Sequence, residues 1–165
     1  MTASAASASS APSRSARVGD HAPPLALSST GGGTVSLGDY RGRSPVLIAF
    51  FPLAFTSTCT AELCEFNESF DQFSGKGVVV LPVSVDSVPT LKEFKAKYAM
   101  KTEMLSDFKR EASRAWGVLR EDTFFSERAY FLVDRDGVVC WAHVESKLGD
   151  KRDNDELFAR IAALA

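Results

Sequence analysis

The sequence has little cysteine and no bias of charge. Only Cys59, Cys64 and Cys140 stand in 165 residues. So few, and an odd number, make no disulfide scaffold of the secreted kind. They point to a reducing compartment, so a cytoplasmic location is expected, where a cysteine either fills a core or does chemistry. The net charge of −2 favours neither nucleic acid nor an anionic membrane as a partner. Nowhere do about 18 apolar residues run together, so no helix is expected to span a membrane. The run Gly31-Gly32-Gly33 lacks a following Gly-Lys-Ser/Thr, so it reads as a turn rather than a phosphate loop. No Cys-x-x-Cys occurs. His21 and His143 are single and far apart in sequence, and with the cysteines they do not make a zinc spacing. No cofactor and no metal are therefore expected, and no internal repeat is visible.

What is present suits one globular domain. Hydrophobic residues make up 45% and charged residues 24%, enough to bury a core. Residues 1–17 are almost entirely Ala, Ser, Thr and Pro, with Arg14 and Arg17. Such a stretch buries too little apolar area to order itself. It lacks the apolar core of a secretory signal, and it is short and hardly amphipathic for a transit peptide. A disordered tail over 1–17 and a folded domain over 18–165 are expected.

Leu25-Ala26-Leu27 and Thr34-Val35-Ser36-Leu37 flank the glycine run, which predicts a β-hairpin. Val46 to Phe51 is a continuous aliphatic and aromatic run between Pro45 and Pro52, the pattern of a buried strand. Residues 58–73 read as one helix, with Leu63, Phe66, Phe70 and Phe73 in an apolar stripe. Val78 to Val85 predicts a second buried strand, and 88–99 a helix with Leu91, Phe94 and Tyr98 on one face. A short helix over 110–117, a hairpin of 128–133 with 138–144, and a helix over 154–164 complete the chain. Strands alternating with helices imply a parallel core sheet covered on both faces. The closing hairpin makes the sheet mixed, and the expected class is an α/β/α sandwich.

In open α/β sheets, sites lie beyond the carboxyl ends of the strands. Phe51-Pro52-Leu53-Ala54-Phe55-Thr56-Ser57-Thr58-Cys59 occupies that place. Cys59 falls in the first turn of the following helix, where free N–H groups and the positive dipole end favour a thiolate. Ser57 and Thr58 are expected to cap that helix. Polar neighbours argue against an inert buried thiol at Cys59. Cys140, between Val139 and Trp141, reads as a strand cysteine, packed or half exposed.

Pro52, Thr56 and Cys59 fit the Pro-x-x-x-Thr-x-x-Cys signature, and the chain here resembles the peroxiredoxins. The segment Arg128-Ala129-Tyr130-Phe131-Leu132-Val133-Asp134-Arg135-Asp136-Gly137 is similar as well. The likeness runs from about Val18 to the C-terminus. It implies a thioredoxin-like fold and a thiol-dependent peroxidase acting on hydrogen peroxide and organic hydroperoxides. It implies that Cys59 attacks, that the Thr56 hydroxyl bonds the thiolate and the peroxide, that Pro52 shields the pocket, and that Arg128 holds the thiolate and polarises the O–O bond.

Cys59 and Cys64 repeat the Cys-x-x-x-x-Cys pattern of the peroxiredoxin Q, or bacterioferritin comigratory protein, branch. The resemblance makes Cys64 the resolving thiol and a thioredoxin-type protein the reductant. Residues i and i+5 of an intact helix lie about 8–9 Å apart at Cα, beyond the roughly 4.4–6.8 Å a disulfide spans. Bond formation then requires the helix to unwind. Phe51-Pro52-Leu53-Ala54-Phe55-Thr56 is also similar to the one-cysteine alkyl hydroperoxide reductase E branch, in which an outside thiol resolves. Two further readings stay open at this point: a general disulfide oxidoreductase, disfavoured by the missing Cys-x-x-Cys, and a peroxide-sensing relay that does not turn over. A monomer and a homodimer are both compatible with the family.

Overall fold

The computed structural model describes residues 14–164. In chain order the strands are β1 (Ala26–Ser29), β2 (Thr34–Ser36), β3 (Val46–Phe50), β4 (Val79–Ser84), β5 (Leu105–Ser106), β6 (Ala129–Val133) and β7 (Val139–Val144). The helices are α1 (Ser57–Glu68), α2 (Phe70–Gly75), α3 (Val88–Lys97), α4 (Glu111–Ala115) and α5 (Asn154–Ala162). One sheet of seven strands runs β2-β1-β5-β4-β3-β6-β7. β3, β4 and β5 are parallel, and the other pairings are antiparallel. The sheet is mixed and opens with a hairpin, as the sequence predicts.

Alternation along the central strands builds two cores. Leu47 and Ala49 of β3, with Tyr130 and Leu132 of β6, face Leu63, Phe66, Phe94, Leu157 and Ile161 of the covering helices. Val46, Ile48 and Phe50, with Ala129, Phe131 and Val133, face Trp116, Leu25 and Ala16. All five residues of β3 and all five of β6 are buried, which explains why both read as unbroken apolar runs.

Four details depart from the sequence reading. The helix expected over 58–73 is two helices that break at Ser69. The Asn154 side-chain amide donates to the Glu65 carbonyl and to Ser69 Oγ, both at 2.9 Å, so a residue from a distant segment holds the break. The short strand β5 escaped notice because two residues carry no period. A 3-10 turn, Leu37–Tyr40, also follows β2.

The fourth departure concerns the amino-terminal stretch expected to be disordered. Residues 1–13 lie outside the described residues, whereas Ala16 is 8% exposed and its N–H donates to the Trp116 carbonyl at 3.2 Å. The packed chain thus begins before Val18. Gly117 permits it: a Cβ there would lie 2.4 Å from the Ser15 nitrogen.

Candidate active site

β3 ends against β6, and that register places the site. Phe50 pairs with Ala129, so Arg128 stands at the carboxyl end of β3, where the Pro52–Thr56 loop leaves the sheet. The loop is tied down by three bonds. The Phe51 N–H donates to the Val83 carbonyl at 2.9 Å, Ser126 Oγ donates to the Phe51 carbonyl at 3.2 Å, and the Ala54 N–H donates to Asp86 Oδ2 at 2.8 Å. Phe55 turns the chain with φ +66°, a left-handed conformation that costs a bulky residue strain energy. Its ring is held edge-on to Phe94, centroids 5.0 Å apart.

Helix α1 begins directly after this turn. Cys59 is in its first turn, as expected, and is 2% exposed. The residue at the cap position is Thr56 rather than Ser57 or Thr58, which are already helical, and Thr56 makes no side-chain capping bond. Its hydroxyl donates instead to the Leu53 carbonyl at 2.7 Å. The expected bond from Thr56 to the Cys59 sulfur is therefore replaced by one within the loop. The hydroxyl oxygen remains at the mouth of the site. A cleft of about 260 Å³ opens there, lined by Pro52, Thr56, Cys59, Phe125, Arg128, Leu148 and Gly149. Pro52 is buried and lines the same cleft as Cys59. The structure thus brings together Pro52, Thr56, Cys59 and Arg128.

Arg128 is 1% exposed. Its Nη2 lies 3.1 Å from Cys59 Sγ and also donates to the Leu148 carbonyl at 3.2 Å. Its Nη1 donates to Glu62 Oε1 at 3.0 Å. Burial works against the guanidinium charge, but Glu62 and Cys59 outweigh it and hold the arginine above its ordinary range. Glu62 has the opposite balance: burial pushes its carboxyl up, against the pull of Arg128 and of a hydrogen bond from the Tyr130 hydroxyl. Burial, and then the Glu62 charge, raise the Tyr130 phenol above its ordinary range, so it stays a donor.

Glu62 and Tyr130 were missed in the sequence. A signal existed for Glu62: an acid three residues after Cys59, one helical turn on, shares its face of α1. Nothing marked Tyr130, because an aromatic in a buried strand reads as core.

Cys64 lies five residues along the same unbroken helix and is half-buried. Burial, with Glu68 and Glu65 nearby, raises its thiol above the ordinary range. Cys140 is half-buried in β7 as expected, and its thiol donates to the Leu132 carbonyl at 3.1 Å. Burial raises it too.

Comparison with known proteins bears on this site. The AhpC/TSA family pattern matches residues 18–142. Alkyl hydroperoxide reductase E of Mycobacterium tuberculosis is 34% identical over 149 residues, covering 89% of this chain and 97% of the relative. A Coxiella burnetii relative, a peroxiredoxin named bcp, is 37% identical over 139 residues, covering 79% of this chain and 91% of the relative. Among solved structures, the reduced 2-Cys peroxiredoxin of Plasmodium vivax superposes with a TM-score of 0.83 at 32% identity, covering 89% of this chain and 81% of that one.

Proposed function

The chain belongs to the AhpC/TSA family and is a thiol-dependent peroxidase with the thioredoxin-like fold of the peroxiredoxins, and we propose that Cys59 is its attacking sulfur. The observation that carries this is the 3.1 Å approach of buried Arg128 to Cys59 at the first turn of α1, inside an open cleft. The Cys59 thiolate attacks the outer peroxide oxygen and the O–O bond breaks. The sulfur becomes a sulfenic acid, and the departing alkoxide or hydroxide takes a proton to leave as alcohol or water. Arg128 and the free N–H groups of α1 stabilise charge on sulfur and on the leaving oxygen. The Thr56 hydroxyl, bonded to the Leu53 carbonyl in the resting site, turns to the peroxide in this reading, since Thr56 and Cys59 line one cleft. Pro52 keeps bulk water from the sulfur. Hydrogen peroxide and small organic hydroperoxides are the substrates.

Cys64 is the resolving thiol in this reading. Its thiolate attacks the Cys59 sulfenic acid, the Cys59–Cys64 disulfide forms and water leaves. A dithiol protein of the thioredoxin type then reduces the disulfide. Because both cysteines sit on one wound helix, α1 must unwind first. A second reading has support as well: Cys64 is half-buried and the chain resembles the one-cysteine branch, so an outside thiol would resolve Cys59. No helix among the described residues is long and apolar enough to cross a membrane. We place the enzyme in the reducing cytoplasm, as a monomer or homodimer.

A coupled assay tests the reading. With thioredoxin, its reductase and NADPH present, the protein should consume peroxide continuously, and Cys59→Ser should consume none. Consumption by Cys59→Ser would overturn the assignment. A single stoichiometric burst in the wild-type protein would favour the sensor. Mass spectrometry after one equivalent of peroxide should find the Cys59–Cys64 disulfide. A persistent sulfenic acid at Cys59 would favour the outside thiol.

A further inference from the structure

Arg128 immediately precedes β6 and Tyr130 is the second residue of that strand, and both reach Glu62 on α1. Between them they hold the Glu62 carboxylate. Arg128 donates to Oε1 and the Tyr130 hydroxyl to Oε2, and Glu62 is 1% exposed. The same phenol oxygen accepts the Arg152 N–H at 3.1 Å. The Arg152 side chain is anchored on buried Glu145, with Nε to Oε1 at 2.6 Å and Nη2 to Oε2 at 3.2 Å. One hydroxyl thus joins β6, the first turns of α1 and the segment leading into α5.

A buried tyrosine is ordinarily a core residue whose hydroxyl has found a partner. A phenylalanine would fill this space equally well. The bond that the Tyr130 hydroxyl donates, however, goes to the carboxylate that holds Arg128. Removing it leaves Glu62 Oε2 buried without a donor, which favours a protonated or rotated carboxyl. Either change loosens the hold of Glu62 on Arg128, and so the placement of Arg128 on Cys59.

We propose that Tyr130 is a positioning residue for the peroxidase reaction, fixing Glu62 so that Arg128 stays on the Cys59 sulfur, and that it also latches α1 in its wound form. The inference rests on Cys59 being the attacking sulfur. Unwinding of α1 must draw Glu62 away from both Arg128 and Tyr130, so the hydroxyl opposes resolution as it favours attack. Its loss acts with opposite sign on the two steps. Attack slows, the Cys59–Cys64 disulfide forms faster, and less sulfenic acid survives to meet a second peroxide and become sulfinic acid.

Tyr130→Phe, Glu62→Gln and the double variant test this in rapid-mixing kinetics. Tyr130→Phe should lower the second-order rate of Cys59 oxidation about tenfold, the effect of one charge-assisted hydrogen bond. Alkylation of Cys59 by iodoacetamide should fall less, since no O–O bond needs polarising. A merely structural loosening would instead raise alkylation of this buried thiol. In the Glu62→Gln background Tyr130→Phe should change the peroxide rate by less than about twofold, because the tyrosine acts through the glutamate. A Tyr130→Phe rate equal to wild type, or the same fall in both backgrounds, overturns the proposal. Should Tyr130→Phe not fold, Glu62→Gln decides alone: an unchanged peroxide rate overturns it. Peroxide consumption by Cys59→Ser would refute the underlying assignment, a result separate from any of these.

Discussion

Arg128 and Cys59 lie 69 residues apart in sequence, yet the Arg128 Nη2 rests 3.1 Å from the Cys59 sulfur with both side chains buried. The approach follows from the antiparallel register of β6 on β3. That register brings the start of one strand to the end of the other, where α1 begins. Glu62, 3.0 Å from the guanidinium on its far side, completes a buried row of three side chains.

Breaking that row from the middle should be costly twice over. Arg128→Met leaves the Glu62 carboxylate buried without its cation, which should lower stability by about 3–5 kcal/mol in urea unfolding. Adding Glu62→Gln should restore part of that loss. Peroxide reduction should fall by about 100-fold or more in the single variant and stay low in the double one. Full recovery of activity in the double variant would contradict the role given to Arg128.

The loop before α1 offers a milder lesion. Asp86 accepts the Ala54 N–H and the Ser84 hydroxyl, both at 2.8 Å. Asp86→Ala should free the turn carrying Phe55, whose left-handed backbone needs outside support. The peroxide rate should drop roughly 10-fold, with a stability loss of only about 1–2 kcal/mol. Stopped-flow kinetics and thermal unfolding of the same sample separate the two effects.

The two other thiols should be slow nucleophiles at neutral pH. Burial raises both Cys64 and Cys140 above the ordinary thiol range. A raised value keeps the thiol protonated over a wider span, and the reactive thiolate appears only at more alkaline pH. Alkylation of the reduced protein at these two cysteines should therefore rise with pH beyond the point where a model thiol has levelled off. Peptide mapping of the alkylated protein gives each rate separately. Formation of the Cys59–Cys64 disulfide should likewise accelerate as pH rises.

The packing of residues 14–16 can be tested at Gly117. Its φ of +70° and the Ser15 backbone atoms beside it leave no room for a methyl group. Gly117→Ala should cost about 1–3 kcal/mol and expel the segment from its seat beside Trp116. Limited proteolysis should then cut near Arg17 faster than in wild type.

The sequence by itself determined the order of the elements apart from β5, the 3-10 turn and the division of α1 from α2, the buried character of β3 and β6, and the place of Cys59 on α1. These are local matters: an unbroken apolar run, a helical stripe, and a polar turn between them. It also carried Pro52, Thr56, Cys59 and Arg128 through their resemblance to a family signature. The tertiary structure decided what surrounds them. The helix break at Ser69 depends on Asn154, which no local pattern relates to it. The two-residue strand β5 exists only because β4 and β1 present hydrogen-bonding edges to it. The Thr56 hydroxyl donates to the Leu53 carbonyl of its own loop, a bond the signature does not announce. Glu62 and Tyr130 looked like a helix acid and a core aromatic until the packed sheet set Arg128 and Tyr130 on the two oxygens of the Glu62 carboxylate. Hydrogen bonds between distant segments have no periodicity along a chain, so only the packed sheet could place them.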